Sequence, residues 1–248
     1  ALASLTALAE SSFPELESLI ATVDANLRIP GGSVRVVEDR EIVFDRYFGT
    51  FSENSETPWD EQTAVAIASI SKSVTATLVA VLVGEGSLSF NDPIAKYLPE
   101  YAALNLQNSD QSVRSPTIAE CLSHTSGFPG GTMSKLPKKS PVKRGNQSEV
   151  ARHLAAQGLA ARPGSQYAYT FRGYAAVSRV LEVVTGRPIA EVMKEKLLSP
   201  LGMNETTFTP GVALARRLPL FASRAEGRSD DEVAAQIERY RAQRGPFI

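Results

Sequence analysis

The stretch from Ser71 to Glu85 constrains the fold more than any other part of this chain. Val74, Leu78, Val81 and Leu82 recur at helical spacing on one side, and Gly84 and Gly86 mark its end. Such a helix is stable only when its apolar side is covered. Its apolar run, about Val74 to Val83 with Thr75 and Thr77 interrupting, is far shorter than the ~20 residues a membrane span needs. The cover must therefore come from the chain itself. With 248 residues, 43% of them apolar, the chain can build one large domain or two interleaved ones. A short apolar segment, Ala64 to Ala68, is predicted as a strand leading into Ser69, just ahead of the helix.

Other elements are read in the same way. Leu16, Leu19, Ile20, Val23 and Leu27 predict an amphipathic first helix ending near Pro30-Gly31-Gly32. Ser33 to Val37 and Glu41 to Tyr47 predict a β-hairpin around Glu38-Asp39-Arg40. Residues 49–62 read as a loop. Helices are predicted over Thr117 to Ser123, Ser148 to Gln157, Arg172 to Val184 and Ile189 to Leu198, with a turn from Pro200. Ser229 is a candidate cap for a last helix with Asp230, Asp231 and Glu232 in its first turn and Val233, Ile237 and Tyr240 on its apolar side.

The 26 basic and 27 acidic residues balance, so charge gives no reason to expect nucleic acid or an anionic membrane as partner. The basic run Lys135, Lys138, Lys139, Lys143 and Arg144 lies among Pro and Ser and reads as a solvated loop. A single cysteine, Cys121, excludes an internal disulfide. The chain starts Ala-Leu-Ala without Met, which fits a mature form after signal cleavage or an artificial start equally, and no charged n-region with an apolar core decides between them.

Ser69-Ile70-Ser71-Lys72 is an S-x-x-K motif. A serine hydroxyl is a poor nucleophile near neutral pH and needs a base beside it. Residues three apart on a helix share a face, so Lys72 can point at Ser69, and a buried lysine loses charge stabilisation and becomes a better proton acceptor. The motif alone is weak: Ser140-Pro141-Val142-Lys143 is a second match, in the Pro/Lys loop with no apolar helix after it, and is assigned to chance.

The context of Ser69 is more specific. Ile67-Ala-Ser-Ile-Ser-Lys-Ser-Val-Thr-Ala resembles the nucleophile segment of the class C β-lactamase-like family, which includes penicillin-binding proteins and esterases. The resemblance continues in order through Gly84-Glu-Gly-Ser-Leu-Ser-Phe-Asn-Asp-Pro, Thr117-Ile-Ala-Glu-Cys-Leu-Ser-His-Thr-Ser-Gly-Phe-Pro, Pro163-Gly-Ser-Gln-Tyr-Ala-Tyr and Pro200-Leu-Gly-Met-Asn-Glu-Thr-Thr-Phe. It implies an α+β fold: an antiparallel sheet flanked by helices, with a mostly helical region inserted. Residues 1–68 would supply the N-terminal helix and strands, 69–210 the nucleophile helix and helical region, and 211–248 a tail leading toward further strands. It also implies three roles, with Ser69 as nucleophile, Lys72 as its activating partner, and Tyr169 as general base or acid. Tyr167 takes a packing position.

Two departures from the family pattern matter. Where the family has Tyr-Ser-Asn or another small polar triplet, this chain has Tyr169-Thr170-Phe171. Phe171 stands at a substrate-binding position but cannot hydrogen-bond a substrate amide. The family's third motif, His or Lys, any residue, then Gly, is also absent after Tyr169, and Val184 precedes Thr185-Gly186. That strand would give one oxyanion-hole N–H, whose loss typically costs ~10²–10³ in rate. The expectation is that the missing strands lie on a remainder of the chain or on a second polypeptide.

The only histidines are His124 and His153, which leaves few options for a Ser-His-Asp triad. His124 is read as holding a turn and His153 as a helix-surface residue. No zinc set, phosphate loop or dinucleotide fingerprint is found, and no cofactor is expected. Two functions remain open. The first is a serine hydrolase acting on an ester, β-lactam or peptide (esterase, D-alanyl-D-alanine carboxypeptidase or β-lactamase-like). The second is a non-catalytic member used for binding or assembly. A periplasmic or secreted location is what the resemblance implies.

Overall fold

The computed structural model describes residues 13–26, 29–53, 55–132, 140, 146–219 and 227–244. The chain divides into two compact units, Ala1–Ala66 with Gly211–Ala234, and Ile67–Pro210 with Ala235–Ile248.

The first unit is built on helix α1 (Pro14–Asn26) and the antiparallel hairpin of β1 (Gly31–Glu38) and β2 (Glu41–Gly49). The turn is tight: Asp39 and Arg40 both have positive φ, 49° and 71°, the geometry that matches a two-residue connection to the strand twist. A register shift at Val36/Val37 pairs Val36 with Phe44 and Val37 with Ile42. Phe44 and Ile20 are buried, Phe13 meets Phe44 edge-on at 5.7 Å, and Glu17 pairs with Arg46. The predicted strand Ala64–Ala68 is not formed. Ala64 N–H donates to the Arg217 carbonyl, and no neighbouring strand runs along the segment among the described residues, so its apolar run has no ladder to join. A short helix α7 (Val212–Arg216) and the start of α8 (Asp230–Arg244) complete this unit. Ser229 and Glu232 exchange the reciprocal bonds of a capping box, and Val233 and Ile237 are buried as expected; the side chain of Tyr240 lies outside the described residues.

The second unit is mostly helical. Helix α2 (Ile70–Gly84) buries Leu78, Val79 and Leu82. It belongs to one core with Ile94, Leu98, Tyr101 and Leu104, Ile118 and Cys121 of α3 (Ile118–Leu122), and Val177, Val180 and Leu181 of α5 (Arg172–Thr185). Thr117 with Glu120 and Asn146 with Glu149 form capping boxes that start α3 and α4 (Gln147–Ala155). α5 ends on Gly186 in the left-handed region, where a Cβ is costly. The helix predicted from Ile189 to Leu198 splits into α6 (Ile189–Met193) and one π-helical turn, Lys194–Leu198. Two short strands, β3 (Leu104–Asn105) and β4 (Ser112–Val113), pair antiparallel. The Lys143 end of the second S-x-x-K match lies outside the described residues.

Candidate active site

The site is assembled within the second unit, at the N-terminal end of α2. Ala68 is held at φ 45°, a left-handed conformation unusual for a residue with a Cβ. The turn is closed by Ile70 N–H to Ile67 carbonyl, Ser71 N–H to Ala68 carbonyl and Lys72 N–H to Ser69 carbonyl, each near 3.0 Å. Ser69 thus stands at the N-cap. A serine there usually bonds a free N–H of the first turn. Here its side chain makes no cap bond. Its Oγ instead accepts from Lys72 Nζ at 3.3 Å and from the Tyr169 hydroxyl at 2.8 Å. Among the described residues no carbonyl accepts the Ser69 N–H, which leaves it available to an incoming oxyanion.

Tyr169 reaches Ser69 because its backbone is clasped from two sides. Gly131 N–H donates to the Tyr169 carbonyl at 2.9 Å and Phe171 N–H to the Gly131 carbonyl at 3.3 Å. Gly131 has φ 133°, which glycine alone adopts easily. On the other side, Ala168 N–H donates to the His124 carbonyl at 2.8 Å and Thr170 N–H to His124 Nδ1 at 3.2 Å. His124 closely follows α3, and Thr170 closely precedes α5. The two helices approach closely because Gly173 has no side chain: a Cβ there would lie 2.6 Å from the Cys121 carbonyl oxygen.

The electrostatics follow from this crowding. Lys72 Nζ lies 4.9 Å from the centre of the Tyr169 ring and 5.9 Å from that of Tyr174. The Tyr169 phenol is held below its ordinary range, chiefly by hydrogen bonding toward Lys72 and then by Ser69. Tyr174 goes the other way, pushed up by burial and then by Tyr169; its hydroxyl donates to the Leu122 carbonyl at 3.0 Å. Burial, and then the Lys72 charge, push His124 down. Neighbouring groups whose protonation is driven apart are the arrangement that acid–base chemistry needs.

The structure therefore brings Ser69, Lys72 and Tyr169 together. Tyr167 is largely exposed and touches His124 edge-on at 5.9 Å. Phe171 is buried with Val150, Leu154 and Ala175 in the α4–α5 packing, and the Arg172 guanidinium lies 5.0 Å over its ring. Arg172 also donates to the Pro129 carbonyl at 3.0 Å. Sequence reading missed the clasp made by Gly131, Arg172 and His124. Its only trace in the sequence was the His-Thr-Ser-Gly-Phe-Pro-Gly-Gly run.

A serine with lysine one turn on and a tyrosine hydroxyl on its oxygen, in an α+β scaffold, defines the class of serine β-lactamases and penicillin-binding proteins. The beta-lactamase family model matches residues 16–236, and the chain belongs to that family. It is 28% identical over 205 residues to the D-alanyl-D-alanine-carboxypeptidase/endopeptidase AmpH of Escherichia coli (strain K12), a match covering 83% of this chain and 52% of that protein. EstCE1, a hydrolase with promiscuous acyltransferase activity, superposes with a TM-score of 0.72 at 20% identity, over 82% of this chain and 54% of the other. The octameric penicillin-binding protein homologue from Pyrococcus abyssi superposes with a TM-score of 0.65 at 29% identity, over 88% and 47%. The chain thus spans about half the length of the relatives it matches. Its fold is of the β-lactamase/transpeptidase type, and the family includes serine hydrolases. No helix among the described residues is long and apolar enough to cross a membrane.

Proposed function

We propose that the protein is a serine hydrolase that forms an acyl-enzyme on Ser69. One observation carries this reading: a serine oxygen free of capping duty, 3.3 Å from Lys72 Nζ and 2.8 Å from the Tyr169 hydroxyl. In acylation, Tyr169 as phenolate takes the Ser69 proton while the Lys72 ammonium stabilises its negative charge. The freed oxygen attacks the substrate carbonyl, and the Ser69 N–H receives one side of the oxyanion. Tyr169 then returns the proton to the leaving group. Water, activated by the same pair, releases the acid and restores Ser69.

The substrate class we infer is an ester first, with a β-lactam or peptide second, because Phe171 offers no amide to hold a peptide bond. The remaining oxyanion donor would come from strands on another part of the protein or on a second polypeptide. We infer export to the periplasm or outside the cell from the family resemblance. A second reading, in which the site binds ligands without turning them over, is favoured by Phe171 standing where the family pattern has a hydrogen-bonding residue.

Intact-mass spectrometry separates these readings, using full-length protein incubated with a fluorophosphonate and, separately, a labelled penicillin. An adduct on Ser69 with the phosphonate alone supports an esterase. An adduct with both supports a penicillin-binding enzyme. No adduct with either eliminates the hydrolase reading and leaves the binding one.

A further inference from the structure

His124 takes no part in the acylation steps, yet it is built into the site. It follows α3 at φ 61°, is only 9% exposed, and its ring lies 4.5 Å from the Tyr169 ring and 5.4 Å from the Tyr174 ring. Its Nδ1 accepts the N–H of Thr170, a residue with no exposed surface. That bond needs a lone pair on Nδ1, so the ring proton sits on Nε2. We propose that His124 is a positioning residue which, only as the neutral imidazole, holds the Tyr169 hydroxyl on Ser69.

Protonation would act in two ways. It would turn Nδ1 from acceptor to donor, leaving two N–H groups facing each other across the Thr170 contact. It would also place a second cation beside Lys72, the charged group facing His124 from α2; the groups facing it from the Tyr169 segment and from α5 are the phenols of Tyr167, Tyr169 and Tyr174. An unsatisfied buried N–H is expensive. The segment carrying Tyr169 would shift to recover a partner, taking the hydroxyl off Ser69. Burial and the Lys72 charge already hold the imidazole in its neutral form near neutral pH. The positive φ suits this role as well, since histidine is among the few side chains found in that region.

This role rests on the Ser69 reading, and the test keeps the two apart. Fluorophosphonate labelling of Ser69 is timed against pH in the parent, H124N and H124F. Asparagine tolerates the left-handed conformation and can accept the Thr170 N–H, but it does not titrate. Phenylalanine fills the space and leaves that N–H without a partner. Below the pH at which His124 itself takes up a proton, which lies under the ordinary imidazole value of about 6.5, the parent should lose rate with the slope of two protons and H124N with the slope of one. One pH unit below the His124 titration, the parent should be about tenfold slower than H124N, each relative to its neutral rate. H124F should be slower than the parent by ~10-fold or more at every pH. The chain has two histidines, so nitrogen NMR of the parent resolves both rings; one should stay neutral and carry its proton on Nε2 below pH ~6.5.

If the parent is labelled but H124N shows the same two-proton fall, the role of His124 is overturned and Ser69 stands. A ring proton found on Nδ1 overturns it equally. If the parent takes no label at all, the Ser69 reading fails, and the His124 role falls with it. Should H124F not fold, the H124N profile and the NMR decide.

Discussion

The two ends of helix α2 are built on opposite terms. Toward its C-terminal half, Leu78, Val79 and Leu82 have almost no exposed surface and pack with Val180 and Leu181 of α5. At its N-terminus, Ser69 and Ile70 are exposed, Ala68 is in a left-handed conformation, and so is His124 in the neighbouring turn. A left-handed residue with a side chain costs ~1–2 kcal/mol. Such geometry persists only where the surrounding structure over-determines it. The packed end supplies the stability that lets the reactive end stay strained. Each end should therefore respond to a different kind of substitution.

The largest effect should come from S69A. Phosphonate labelling should fall by at least ~10³-fold while the unfolding free energy moves by no more than ~0.5 kcal/mol, checked by mass spectrometry and by thermal melting. Next is Y169F, which should slow labelling by ~10²–10⁴-fold with little change in melting. Its parent carries a pH signature. Because Lys72 and Ser69 hold the Tyr169 phenol below its ordinary value, the phenolate accumulates early, and the labelling rate should rise with pH and level off below the ordinary phenol pKa of about 10. L181A should reverse the pattern, losing ~2–5 kcal/mol of stability in denaturant titration while the folded fraction still labels at the parent rate. A68G should have the smallest effect. Relief of the left-handed strain, offset by the entropy glycine loses on folding, should leave a gain of up to ~1 kcal/mol. A large loss on A68G would mean that the Ala68 side chain packs rather than merely tolerates its place.

What could be read in the sequence was local. Caps such as Thr117 with Glu120, and apolar spacing such as Val74, Leu78 and Leu82, gave helix ends within a residue or two, because the signals lie within one turn of the element they define. Ser69 and Lys72 share a helical turn and were legible for the same reason. Tyr169 was found only through resemblance, since it sits 100 residues from Ser69 and nothing nearby in the sequence marks it as a partner. Ala64–Ala68 misled, because an apolar run shows that a segment can pair but not that a neighbouring strand exists. The place of Phe171 in a motif is local, but the packing of its ring with Val150 and Leu154 is not, because helix packing sets the approach of those residues. The turn at His124 was legible too, but that it carries Tyr169 depends on a contact across 46 residues.

Gly173 and Cys121 give the molecule a built-in stopwatch. The thiol of Cys121 has no exposed surface and is pushed far above its ordinary range by burial, while its own carbonyl lies against the space that Gly173 leaves empty. A thiol reagent can therefore reach it only while the core around α3 opens, and no other cysteine blurs the count. The rate of that modification in native protein measures how often the scaffold behind His124 and Thr170 comes apart. If it matches the rate of complete unfolding, the scaffold opens only when the whole unit does. If it is faster, the support of Tyr169 breathes on its own, and substrates meet a site that is assembled for only part of the time.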